Sequence, residues 1–180
     1  MGPLDLLATQ LDEGYAMIRS RVEGLTDSEF WWEPAPDCWT IRQRPNGMWA
    51  VDYEEPDPEP APLTTIGWRL VHVAECKIMY REYAFGPGKL IWPDIDSAHT
   101  VEAAIAQLEE GQGLLLEDLH SLTDDQLNEP RMTNWGEEWP TWKVFWTMIH
   151  HDYHHGGEIG ALRDLYRVTA VAAATGSARS

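Results

Sequence analysis

Four histidines fall within six positions of the stretch IHHDYHHGGE, namely His150, His151, His154 and His155. Imidazole is the side chain most often used to ligate metals, so the cluster points to a divalent ion. Each residue of an α-helix turns by about 100°, which stacks positions four apart on one face. Two such pairs exist here, His150 with His154 and His151 with His155. Val144, Met148, Ile159, Leu162 and Tyr166 share the sector of His151 and His155, whereas Thr147 and Ala161 flank the other pair. His151 and His155 are therefore expected to face a helical core and bind the ion, with His150 and His154 beside them.

A catalytic divalent ion normally takes three protein ligands and keeps a position open. The third ligand is expected from His72 in RLVHVAEC, which shares an apolar face with Trp68, Cys76, Met79 and Tyr83. Cys76, four residues on, could ligate as a thiolate or pack as a buried thiol, and Glu75 is a weaker candidate. Glu158 sits one turn after His151 and His155. It could accept the second ring N–H of a ligand histidine, bind the ion itself, or pair with Arg163 or another basic side chain. HDYHH also fits H-[ED]-x-x-H with Asp152 as base, although aspartate is short for that role and the longer metzincin continuation is absent.

These side chains need helices to hold them. Leu4, Leu7, Leu11, Tyr15, Ile18, Val22 and Leu25 recur at three- and four-residue steps and predict a long first helix. TDSE at 26–29 reads as a capping box opening a short helical turn. From Pro34 to Pro62 the chain carries seven of its twelve prolines and the acidic run DYEEPDPEP, so an irregular loop is expected. The second helix is expected over about 65–84, the third over about 98–121 with Gly111 and Gly113 as weak points, and the fourth from near Pro140 to about Val168. LTDSEFWWEP and LTDDQLNEP each follow a long helix, which reads either as a pseudo-repeat or as two independent caps. Four long helices without a strand pattern predict an all-α four-helix bundle with a long irregular loop between helices 1 and 2.

The chain has 180 residues, 43% of them hydrophobic, enough for one domain, expected over 1–168, followed by a flexible tail over 169–180. A net charge of −17 without a basic stripe argues against nucleic acid and anionic membranes as partners and leaves small molecules or proteins, with a small-molecule substrate expected. Nowhere do about 18 apolar residues run together, the N-terminus lacks a signal-peptide pattern, and two cysteines are too few for a disulfide framework. These features lead us to expect a cytoplasmic protein.

LTDSEFWWEPAPDCWTIR, TIGWRLVHVAE and HHDYHHGGEIGALRDLYR, in this order, resemble the DinB-like superfamily of DinB/YfiT-type metal-binding four-helix bundles. In that family a histidine on the second helix and an HxxxH pair on the fourth bind a divalent ion. By motif these positions are His72, His151 and His155, the trio that helical geometry also selects. The family's H-R-G-Q-[IV] stretch is HGGEI here, with Gly156 in place of the basic residue and Glu158 in place of the amide. The resemblance implies homodimers and an enzyme that transfers a low-molecular-weight thiol, of the mycothiol or bacillithiol type, to an electrophilic small molecule through a metal-bound thiolate. Zinc is the first expectation for the metal, with nickel, iron or manganese as alternatives. Trp39, Trp68 and Tyr83 are expected to wall the pocket that holds the thiol. The competing readings are a metal-dependent hydrolase with Asp152 or Glu158 as base, and a non-catalytic metal-binding bundle.

Overall fold

A computed structural model of the chain describes residues 1–56 and 58–177, with side chains through residue 169. Helix α1 (Pro3–Val22) opens with proline at its first position, where no amide N–H is needed. It buries Leu11, Ile18 and Val22 along one stripe. The single turn α2 (Asp27–Phe30) follows from the reciprocal cap expected of TDSE. Glu29 N–H donates to Thr26 Oγ1 at 3.3 Å, and Thr26 N–H donates to Glu29 Oε2 at 3.1 Å. Strands β1 (Ile41–Gln43) and β2 (Trp49–Val51) then pair antiparallel, with Ile41 opposite Val51. Helix α3 (Ile66–Ala84) starts at Thr65, whose hydroxyl accepts from Trp68 N–H at 3.1 Å.

The second half repeats this order. Helix α4 (Val101–His120) leads into a 3₁₀ turn, Asp124–Asn128, whose cap joins Thr123 and Gln126. An antiparallel pair follows, β3 (Pro130–Met132) with β4 (Glu138–Pro140), and then α5 (Thr141–Ser177). The echo between LTDSEFWWEP and LTDDQLNEP thus marks equivalent places in two helix–capped turn–hairpin–helix units. Both hairpins depart from the expectation of no strands. Three-residue strands are too short for an alternating pattern, but Asn46-Gly47 and the glycine of NWG, with Gly47 at φ 89° and Gly136 at φ 79°, are turn signals. The α5 backbone continues to Ser177, past Val168, and positions 178–180 of the expected tail lie outside the described residues.

The four long helices α1, α3, α4 and α5 pack as a bundle, α1 mainly on α5 and α3 on both α4 and α5. Ile18, Val22, Phe30, Ile66, Leu70, Leu108 and Ile159 fill one end of the core. Leu11, Tyr80, Leu115, Phe145 and Met148 fill the other. Each large aliphatic or aromatic side chain buried in this way contributes about 1.5–3 kcal/mol. Gly111, which reads as a weak point of the third helix, is where α4 approaches α3. A Cβ there would lie 2.9 Å from Lys77 Cβ, so the lost helix propensity is offset by closer packing.

Two ion pairs cross this core. Lys77 Nζ lies 2.7 Å from Asp152 Oδ2, with both side chains wholly shielded from solvent. Lys77 also donates to Gln112 Oε1 at 3.1 Å, and Gln112 donates to the Leu11 carbonyl at 3.2 Å, so one network joins all four long helices. Burial pulls the lysine pKa down and pushes the aspartate up, and the pairing opposes both. Near the other end, Arg163 on α5 pairs with Glu29 at 2.9 Å and donates to the Arg21 and Glu23 carbonyls at the end of α1. Among the described residues no helix is long and apolar enough to cross a membrane.

Candidate metal centre

Four-residue steps along α3 place Trp68, His72, Cys76 and Tyr80 in one row, and all four line a cavity of about 660 Å³. α5 contributes His151 to the same cavity, with His155 one turn on. The three imidazoles converge: ring centroids are 5.6 Å apart for His72 and His151, 5.1 Å for His72 and His155, and 5.2 Å for His151 and His155. His72 is held by stacking on Trp68, 4.6 Å away and nearly parallel. His150 and His154 are exposed and stack on one another outside the core, in the flanking position expected for them.

Among the described residues, two groups of side chains could hold an ion. His72, Cys76 and His151 each offer an atom within 4.8 Å of the others, and so do His154, His155 and Glu158. Cys76 Sγ is 3.7 Å from His72 Nε2. His155 belongs to the second group through Glu158 and touches the first through its ring. Its Nδ1 donates to Glu158 Oε2 at 2.6 Å, and Arg69 Nε lies 3.2 Å from the same oxygen. Arg163 is committed to Glu29, so the basic side chain that pairs with Glu158 is Arg69, and Glu158 joins that ion pair to its bond with the His155 ring.

The electrostatics suit a cation. Burial, followed by repulsion among the three rings, holds His72 well below the ordinary histidine range. Burial first, then the neighbouring His155, His150, Lys77 and His154, brings His151 down to about 4. Burial also lowers His155, with Glu158 partly opposing it. All three are therefore neutral at pH 7 and present lone pairs, the form that binds metal. His151 Nδ1 is buried without a hydrogen-bond partner among the described residues, a costly arrangement for a polar atom unless it coordinates something. Imidazole donors with a nearby thiol fit zinc and comparable divalent transition metals better than calcium or magnesium. Burial pushes the Cys76 thiol far up, so without an ion it stays protonated.

The other residues singled out from sequence divide. Trp39 and Trp68 line the cavity. Tyr83 does not; its hydroxyl donates to the Leu90 carbonyl at 3.1 Å and it braces the segment after α3. Asp152 does not line the cavity either, because Lys77 holds it inside the bundle, so the base position expected from H-[ED]-x-x-H is filled by a core ion pair. Glu75, unlike both, does line the cavity, and burial pushes its carboxyl up to about 7. Tyr80, Asn134 and Trp135 also line the cavity, unannounced by the sequence. Tyr80 is visible as the next step of the His72 row, whereas Asn134 and Trp135 arrive on the β3–β4 turn and carry no periodic signal. Gly156 stands where α5 meets α1, and a Cβ there would lie 3.2 Å from Ile18 Cγ1.

No curated protein matches the chain. The family model described as the DinB superfamily matches residues 49–159, from β2 through all three converging histidines. With more than half of the chain matched, and with a helical bundle that gathers potential metal ligands, the chain belongs to the DinB superfamily.

Proposed function

We propose that this protein is a divalent-metal-dependent enzyme that transfers a low-molecular-weight thiol, of the mycothiol or bacillithiol type, to an electrophilic small molecule. The observation that carries the reading is the opening of the 660 Å³ cavity onto His72 and His151, which makes the ligand cluster the floor of a pocket that a small molecule can enter. His72, His151 and His155 would hold the ion, zinc in the first instance with nickel, iron or manganese as alternatives. When bound, the ion supplies the positive charge that keeps a thiol deprotonated and nucleophilic at neutral pH. The chain's own part is to orient and to exclude water. Glu158 fixes the tautomer of His155. Trp39 and Trp68, 5.7 Å apart, form an apolar wall beside the ligands, where an organic electrophile can pack.

One observation favours a second reading, a structural ion. Cys76 Sγ is close enough to His72 to complete a closed set with the histidines. Hydrolysis, the other rival, loses one of its two candidate bases, because Asp152 is paired with Lys77 away from the cavity, and the other, Glu158, is bonded to His155 and Arg69. The test joins metal analysis to a conjugation assay in which a panel of small thiols is offered, with a reactive electrophile, to the metal-loaded protein. A rate above the free-metal blank for at least one thiol, kept in Cys76→Ser along with full metal content, supports the transferase. Loss of metal from Cys76→Ser, with no thiol turned over by the native chain, supports the structural ion.

A further inference from the structure

The mechanism above leaves one buried carboxyl in the cavity without a role. Glu75 is 1% exposed, lies on α3 one turn from His72, and lines the cavity. Ser97 hydrogen-bonds the carboxyl and Arg44 acts on it from the β1–β2 turn. Arg44 itself donates to the Pro93 carbonyl at 3.2 Å, which leaves Glu75 Oε1 with no hydrogen-bond partner among the described residues. The other buried carboxyls of the interior are committed: Asp152 to Lys77, and Glu29 to Arg163. Thr64 Oγ1 and Asn134 Oδ1, on two further cavity-lining segments, are also buried and unpartnered. A buried acceptor left unpaired costs about 1–3 kcal/mol, so the Glu75 and Asn134 oxygens, with the Thr64 hydroxyl able to accept beside them, mark a stretch of cavity wall suited to donors.

We propose that Glu75 is a specificity-determining residue that accepts a hydrogen bond from a hydroxyl or ammonium group of the small molecule bound in the cavity, while Trp39, Trp68 and Trp135 hold that molecule's apolar part. The inference rests on reading the cavity as a substrate pocket, and it adds the chemical class of what enters: an amphiphile with a donor at one end. Aromatic walls alone would select for apolar area and ignore that end. A site built to bond a hydroxyl or amine rejects the analogue lacking it, because its own acceptor is then left unpaired.

Three probes of matched shape test this: 2-phenylethanol, 2-phenylethylamine and propylbenzene, titrated calorimetrically into the full chain, both metal-free and zinc-loaded. The native chain is expected to bind the alcohol or the amine about tenfold more tightly than propylbenzene. Glu75→Ala is expected to erase that preference while leaving propylbenzene binding and zinc uptake unchanged. Glu75→Gln keeps an acceptor oxygen without the charge, so it should retain the preference for the alcohol and lose the one for the amine. A merely structural Glu75 would change all three affinities together. A native chain without preference, or a preference that survives in Glu75→Ala, overturns the inference. Failure of the metal reading looks different: no zinc uptake by a chain that still discriminates among the probes.

Discussion

His155 Nδ1 donates to Glu158 Oε2 across 2.6 Å, one turn along α5. The bond keeps the ring proton on Nδ1 and leaves the Nε2 lone pair free, the tautomer a ligand histidine needs. Glu158→Gln is therefore expected to weaken ion binding roughly 10- to 100-fold without abolishing it. Competition against a chelator of known affinity would measure this, and native affinity in the variant would refute the orienting role.

The convergence of His72, His151 and His155 predicts a sharp split among the seven histidines. Alanine at any of these three should lose stoichiometric metal, whereas His150→Ala and His154→Ala should keep it. Elemental analysis of the purified variants decides. Metal lost from His154→Ala but retained in His72→Ala would move the ion to the outer group of His154, His155 and Glu158.

Asp152→Asn leaves the Lys77 ammonium in the interior without its counter-charge. Breaking a buried pair on one side costs about 3–5 kcal/mol, so the denaturation midpoint should fall clearly. Metal content and affinity should not change, since Asp152 lies outside the cavity. If the folded variant instead lost turnover at full metal occupancy and full stability, Asp152 would be a base after all.

Glu29 supplies a pH dependence of its own. Burial alone would raise its carboxyl, but the Arg163 guanidinium and the Thr26 cap outweigh burial and hold it below the ordinary glutamate range. A group with a depressed folded pKa stabilises the fold above its unfolded value, near 4.5, and that contribution is lost as pH falls through the folded pKa. Native stability should thus decline on acidification below about pH 4.5. Glu29→Gln should be weaker by about 3 kcal/mol at pH 7 and show a shallower acid decline. Urea titrations at several pH values would test both, and parallel pH profiles would exclude the pair as their source.

Helical periodicity makes the convergence of the three histidines legible in advance. A 100° turn per residue separates His151 and His155 from His150 and His154 whatever the rest of the fold does, and His72 declares itself by sharing a face with Trp68 and Cys76. Pairings between distant segments were not legible. Asp152 reads as a candidate base because its partner, Lys77, lies 75 positions earlier on another helix. Gly111 looked like a flaw in a helix because the close approach of α3 is a property of packing. Asn134 and Trp135 reach the cavity on a turn between three-residue strands, where no period has room to show. Tyr83 shares the apolar face of His72, but the segment after α3 folds back to take its hydroxyl.

The Lys77–Asp152 pair has a consequence for alignment. Lys77 follows His72 by five residues, and Asp152 stands between His151 and His155. Sliding α3 past α5 by one turn, about 5.4 Å, would still allow apolar side chains to find apolar neighbours. It would separate the ammonium from the carboxylate in a medium where neither can be left alone. The pair therefore works as a vernier between the two helices, and His72 keeps its height opposite the α5 histidines through a bond that no ion or substrate touches.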